Sequence, residues 1–229
     1  MSHSDDLTLS EVIEAVPELA RTLGSGVRGH DVARLQLDLK RGGIDPGPID
    51  GIYGAKTEAA IAKFRERHEL PGEGVDSALW AKVVEVAALD RFADLRGAAQ
   101  ELEERAAEHR TRANALEDEA GPLRDGDRAE AGAKLEEAGE TWLEGASAWE
   151  LAAELWIEAA HVAEPFDTGD EGWKAYARWG RATDAARLFA GRARTALGHA
   201  GDDLDAAGST DHHERIAAAR AEARARAAH

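Results

Sequence analysis

Between residues 77 and 120 the chain contains no proline and a single glycine, Gly97. Along that stretch Ala88, Phe92, Leu95, Ala99, Leu102, Ala106, His109, Ala113 and Leu116 step by alternating four and three. This spacing keeps one seam on one side of an α-helix for more than four heptads, and no strand sustains it. "GPLRDGD" at 121–127 breaks the run. A second long helix is expected over roughly 127–164. There Leu135, Trp142, Trp149 and Trp156 recur every seven residues opposite the small row Ala138, Gly145, Ala152 and Ala159. After the break "EPFDTGDEG" at 164–172, a third helix over about 171–199 carries Ala175, Trp179, Ala182, Ala186, Phe189, Ala193 and Ala196 inward. Three seamed helices with short connections predict an antiparallel bundle, in which Ala rows allow close approach and bulky residues fill the gaps. The tail at 209–229 is helix-compatible but nearly all Ala and Arg, with Ile216 and little else apolar, so it either frays or docks on a partner.

Charge narrows the partners. The 229-residue chain has a net charge of −17 and a pI near 4.9. Nucleic acid requires clustered Lys and Arg, and an anionic membrane surface is equally disfavoured. No Cys is present, which excludes disulfides, thiolate nucleophiles and Cys-ligated metals. No apolar run approaches the roughly 18 residues of a membrane helix. The opening "MSHSDDLTLSEVIEAVPEL" is acidic and lacks the basic and apolar regions of a secretory signal, so synthesis as a cytoplasmic protein is expected.

Ahead of the long helices the texture differs. Residues 1–22 are an acidic lead with one or two helical turns interrupted by Pro17. In "GSGVRGHDVARLQLDLKRGG", Asp31 is the expected helix cap. Val32, Leu35, Gln36 and Leu39 recur at helical spacing, and Gly42-Gly43 stops the helix. "IDPGPIDGIYG" is a turn-rich loop. Thr57, Ala60, Ile61 and Phe64 then carry a second helix inward. "LPGEGVD" is a second loop, after which Ser77 is expected to cap a third helix through Leu79, Trp80 and Val83. The second half of this unit faintly repeats the first, as a Gly-containing loop followed by a helix.

The order and spacing of "LGSG", "DVARLQLDL", "IDGIYGAKTEAAIAKF" and "GEGVDSALWAKV" resemble the peptidoglycan-binding domain found beside many cell-wall hydrolases, over residues 23–84. The resemblance implies a compact three-helix module without chemistry of its own, which positions a neighbouring domain on murein. Two departures stand out. Arg65 follows Phe64 where the family usually has Gln, and the late pattern is reduced to Glu73-Gly74-Val75-Asp76 with Leu79 before Trp80.

Asp50, Gly51, Tyr53, Gly54 and Trp80 are the candidate ligand contacts. Turn geometry is the stronger explanation of the opening four. Gly51 and Gly54 are expected to take backbone angles that other residues avoid, Asp50 to accept hydrogen bonds from its own loop, and Tyr53 to pack beneath it. The Trp heptad reads first as core and only second as a glycan platform. His109 is expected to be a satisfied or partly exposed His, because Ala113 stands where a second metal ligand would sit. "DHHERI" at 211–216 is either a weak transition-metal site or, the stronger reading, a solvated tail. No catalytic residue is expected: the chain has no HExxH, GxSxG or Cys motif, and most of its 45 acids must lie on solvated helix faces.

The expectation is therefore an all-α, non-enzymatic protein without cofactor or metal. It is divided into a lead (1–22), a peptidoglycan-binding-like three-helix domain (23–87), an antiparallel helical bundle (88–200) and an Ala/Arg-rich tail (201–229). A long shared helix joins the domain to the bundle. In the leading functional reading it is a murein-binding adaptor positioned by the bundle, reaching the wall by a Sec-independent route. The alternative is a cytoplasmically assembled structural protein, such as a part of a phage-tail-like or contractile injection particle. That protein would reuse the module for protein–protein contact and oligomerise or assemble through the bundle.

Overall fold

The computed structural model describes residues 19–166 and 171–228. Most of the acidic lead, including the turns expected around Pro17, and part of the 164–172 break lie outside the described residues. The described chain is all-α, with helices α1 (His30–Arg41), α2 (Ala55–Arg67), α3 (Ser77–Leu123), α4 (Arg128–Ala163), α5 (Glu171–Ala206) and α6 (His213–Ala228) and no strand. None of them is long and apolar enough to cross a membrane. Two compact units divide the chain: the part up to Asp94 with Ala159–Gly172, and Leu95–Glu158 with the part from Trp173 onward. The long α3 is one helix through the division.

In the first unit Val32, Leu35, Leu39, Ile61, Phe64, Leu79, Trp80 and Val83 meet in one core. The helices form where their apolar periodicity lies, but their caps differ from expectation. The residue before α1 is Gly29, and Asp31 sits inside the first turn, where it pairs with Arg21 at 2.6 Å. Asp76, not Ser77, caps α3, accepting the Leu79 N–H at 2.8 Å. In both places the carboxylate takes the donor its position reaches, and a single-residue shift in the helix start decides which donor that is. Gly42 and Gly43 do end α1: the Gly42 N–H reaches Asp38 O and the Ile44 N–H reaches Leu39 O, each at 2.9 Å.

The second unit is a helical bundle. Contacts pair the middle of α3 with late α4 (Glu103 with Trp156) and late α3 with the middle of α4 (Glu117 with Trp142), so these two run antiparallel. Glu103 also meets Arg178, and Glu117 meets Arg192, so α5 runs parallel to α3. The tail is a fourth helix: Ile216 and Ala223 of α6 are buried in the bundle core, and Arg215 and Arg226 reach Glu136 and Glu150 on α4. α5 continues past the expected end near 199 to Ala206, because Ala200 and Leu204 bury against the bundle and that burial outweighs the weak helix preference of Gly201.

The Trp row is core. Trp142 and Trp156 are buried, and each indole N–H donates to a glutamate of α3, Glu117 at 2.7 Å and Glu103 at 2.8 Å. Each glutamate is shared with an arginine of α5 that lies over the same indole, Arg192 at 5.1 Å and Arg178 at 4.9 Å from the ring centre. The two Trp–Glu–Arg sets repeat two heptads apart. Midway, position 110 is Arg and position 185 is Ala, and the Trp149 N–H has no hydrogen-bond partner. His109 is partly exposed, with Nδ1 3.2 Å from Glu144. Trp179 departs from its expected seam role and is 42% exposed.

Glycines set the closest helix approaches. A Cβ at Gly139 would stand 2.4 Å from Leu197 Cγ, and one at Gly145 would stand 2.5 Å from the Phe189 ring. Gly139→Ala is therefore expected to lower bundle stability by about 1–2 kcal/mol despite the better helix propensity of Ala. Gly191→Ala, where a Cβ meets nothing within 4 Å, is expected to raise it by about 0.5–1 kcal/mol. Urea unfolding followed by circular dichroism checks both signs.

Candidate functional site

The corner between α1 and α2 is organised by one buried side chain that sequence reading treated only as part of a helix face. Gln36, 1% exposed on α1, makes four hydrogen bonds into the following loop and a fifth to Thr57 on α2. Its Oε1 accepts the Asp50 N–H at 3.1 Å and the Gly51 N–H at 2.9 Å. Its Nε2 faces Asp50 Oδ1 and Ile52 O at 3.1 Å and Thr57 Oγ1 at 3.2 Å, so two amide hydrogens are shared among three acceptors. The available signal was a lone polar residue at an apolar-periodic position of "DVARLQLDL".

Asp50 closes the corner from the other side. Its Oδ1 accepts the Ile52 N–H at 2.9 Å, the Asx turn expected of it. That backbone hydrogen bond first, and the Gln36 amide second, hold its carboxyl below the usual carboxylate range. The segment before α1 lies against the loop: Tyr53 N–H donates to Val27 O at 2.8 Å, Gly26 N–H to Tyr53 O at 2.9 Å, and Gly29 N–H to Gly51 O at 3.0 Å. Gly51 has φ 68°, and a Cβ there would press to 2.9 Å from Gly29 O, so two independent reasons demand glycine. Gly54 differs from expectation. It is extended, with φ −112°, and a Cβ would meet nothing within 4 Å, because it serves as the residue before α2 and not as a turn position.

The five candidate residues thus divide by exposure. Tyr53 is 2% and Trp80 5% exposed, both in the module core, and burial pushes the Tyr53 hydroxyl up. Gly51 is buried, Gly54 half-buried and Asp50 exposed, with Ile49 43% exposed beside it. Arg28 is exposed and its charge also favours the ionised Asp50. Exposed around the corner are Ile49 and Asp50 on a loop fixed from beneath and Arg28 on the segment before α1.

The second loop uses Arg65 as the first uses Gln36. Arg65, 5% exposed, donates to Gly74 O at 3.1 Å and to Pro71 O, and pairs with Asp76 at 2.7 Å. Leu35-Gln36 and Phe64-Arg65 hold corresponding places in the internal repeat, each a core residue followed by a buried polar anchor for the loop ahead. The Asp76 carboxyl is held low by the Leu79 N–H and by Arg65.

These features define a small helical module whose loops are shaped by buried polar anchors. Residues 28–82 match the family model described as a putative peptidoglycan binding domain, so the chain carries a peptidoglycan-binding-type module. No family model matches the rest. Two curated relatives, both spore cortex-lytic enzymes of Bacillus cereus, are 40% identical over 53 residues, which is 23% of this chain and 20% of theirs. The chain thus spans about a fifth of the length of the curated relatives it matches. No solved structure matches significantly.

Gln36→Ala leaves the Asp50 and Gly51 N–H groups without their acceptor. It is expected to cost the module about 2 kcal/mol and to speed hydrogen exchange at those two amides. Gly51→Ala is expected to be at least as damaging, whereas Gly54→Ala stays within about 0.5 kcal/mol of wild type. A second expectation concerns pH. A carboxyl with a lowered folded pKa stabilises the fold above its unfolded value, and that stability is lost as pH falls through the folded value. The stability difference between wild type and Asp76→Asn should therefore be full near about pH 6 and shrink below about pH 4, read from thermal melts across pH.

Proposed function

We propose that this chain is a non-catalytic peptidoglycan-binding adaptor, whose module engages murein through the Arg28–Ile49–Asp50 face of the first corner. The carrying observation is the match of residues 28–82 to the binding-domain family together with the exposure of that face. The likeness to the cortex-lytic enzymes covers the module and leaves most of each enzyme unmatched, which supports a binding role and not the enzymes' activity. Murein presents amide-rich stem peptides carrying both charges on a glycan. A carboxylate held by its own loop, with an exposed guanidinium and an exposed apolar residue, suits such a ligand, since the loop loses little freedom on binding.

The test is co-sedimentation of the full chain with purified sacculi. Wild type is expected to pellet. Asp50→Ala combined with Arg28→Ala should reduce the bound fraction about tenfold, a loss of about 1.4 kcal/mol, with an unchanged circular dichroism spectrum. Wild type remaining in the supernatant refutes the reading.

A second reading, that the bundle docks on or assembles with a protein, is favoured by the exposure of Trp173 (75%), Leu188 (65%) and Leu151 (50%) in the second unit. Isolated apolar side chains are ordinary on surfaces, but two tryptophans exposed within one helix, Trp173 and Trp179, are less so. A strictly monomeric mass at high concentration, with no partner retained from the native host, counts against it.

A further inference from the structure

We propose that Asp205, His212 and His213 form a divalent transition-metal site that staples α6 to α5. Asp205 lies in the last turn of α5. The chain then reverses through Gly208, at φ 79°, with the Ser209 N–H on Leu204 O at 3.0 Å, and re-enters helix at His213. The reversal brings two imidazoles to one carboxylate oxygen. His213 Nε2 is 2.6 Å and His212 Nε2 is 3.3 Å from Asp205 Oδ1.

Hydrogen bonding accounts for only half of this arrangement. Asp205 Oδ1 and His213 Nε2 share a hydrogen bond at 2.6 Å. The His212 ring is 2% exposed, and neither its Nδ1 nor its Nε2 has a hydrogen-bond partner. The Nε2 atom is near Asp205 but not aligned with it. A buried imidazole left in this way costs free energy, which a cation held between it and the nearby carboxylate would offset.

Coordination distances fit. One ligand atom from each residue can be chosen so that all three lie within 4.8 Å of one another. Around a tetrahedral ion with bonds of about 2.1 Å, neighbouring ligand atoms stand about 3.4 Å apart. The His212–Asp205 distance already matches, and the His213–Asp205 distance needs to open by less than about 1 Å. Two imidazoles and one carboxylate select Zn²⁺, Ni²⁺ or Cu²⁺ over Mg²⁺ and Ca²⁺, which prefer all-oxygen sites. Three protein ligands leave a fourth position for water. The clustering of the three ligand atoms and the buried, unpartnered His212 ring are separate observations that favour an ion here, and the donor set favours its class. Because the ligands come from both sides of the reversal, an ion there ties the short, weakly apolar α6 to the bundle.

The experiment uses the tag-free full chain, dialysed against EDTA and then metal-free buffer. It is titrated with ZnCl₂ by calorimetry and with CoCl₂ by visible absorption. Wild type is expected to bind one ion in a saturable step, to melt at a higher temperature with zinc than without, and to give a Co²⁺ ligand-field band. His213→Ala, whose ring is 56% exposed and whose loss does not threaten the core, should abolish the saturable step, the thermal shift and the Co²⁺ band while the apo spectrum is unchanged. Asp205→Asn should do the same. His30→Ala on α1 should retain all three. The proposal is overturned if wild type shows only weak, unsaturable binding, or if His213→Ala and Asp205→Asn bind zinc as wild type does.

Discussion

Most polar atoms removed from water find partners, and in this chain that need shapes both compact units. In the module, the Gln36 amide meets it by dictating the course of residues 50–52, and the Arg65 guanidinium does the same for residues 71–76. In the bundle, the indole N–H groups of Trp142 and Trp156 meet it through Glu117 and Glu103, which thereby fix which turns of α3 and α4 face each other. The arginines of α5 complete these sets and set its register in turn. Apolar seams alone permit a helix to slide by a heptad; the paired Trp–Glu–Arg sets do not, because a slip strands a buried donor.

The module separates shape from recognition within a few residues. Gly51 and Tyr53 belong to the shape: one needs a left-handed backbone pressed on Gly29, and the other fills the core. Asp50 belongs to the shape and is also exposed, which is what the proposed contact requires. One carboxylate oxygen closes the Asx turn while the side chain stays exposed. A motif such as "IDGIYG" therefore need not be a list of ligand contacts, since most of its residues are explained by the shape of the corner.

Much of this was legible in the sequence because it is periodic. The four-three steps of α3 and the seven-residue Trp row declare long helices and their buried faces, and the spaced motifs of residues 23–84 declare the module. What was not legible depends on partners distant in sequence. Gln36 looks like an ordinary helix residue until the loop 14 positions later folds over it. Asp76 and Ser77 are equally good caps until the first turn chooses its start. The tail at 209–229 has too few apolar residues to declare itself core, and is buried at Ile216 and Ala223 only because α4 and α5 offer a groove lined by small residues. Trp179 fails in the opposite sense: its periodicity is right, yet it is 42% exposed.

The central claim is that the first corner of the module meets murein. The most direct measurement is the change in backbone amide chemical shifts of the full chain when soluble peptidoglycan fragments are added. The account predicts saturable shifts concentrated at Arg28 and residues 49–52, with the bundle amides unmoved. An absence of saturable shifts, or shifts confined to the bundle, would contradict it.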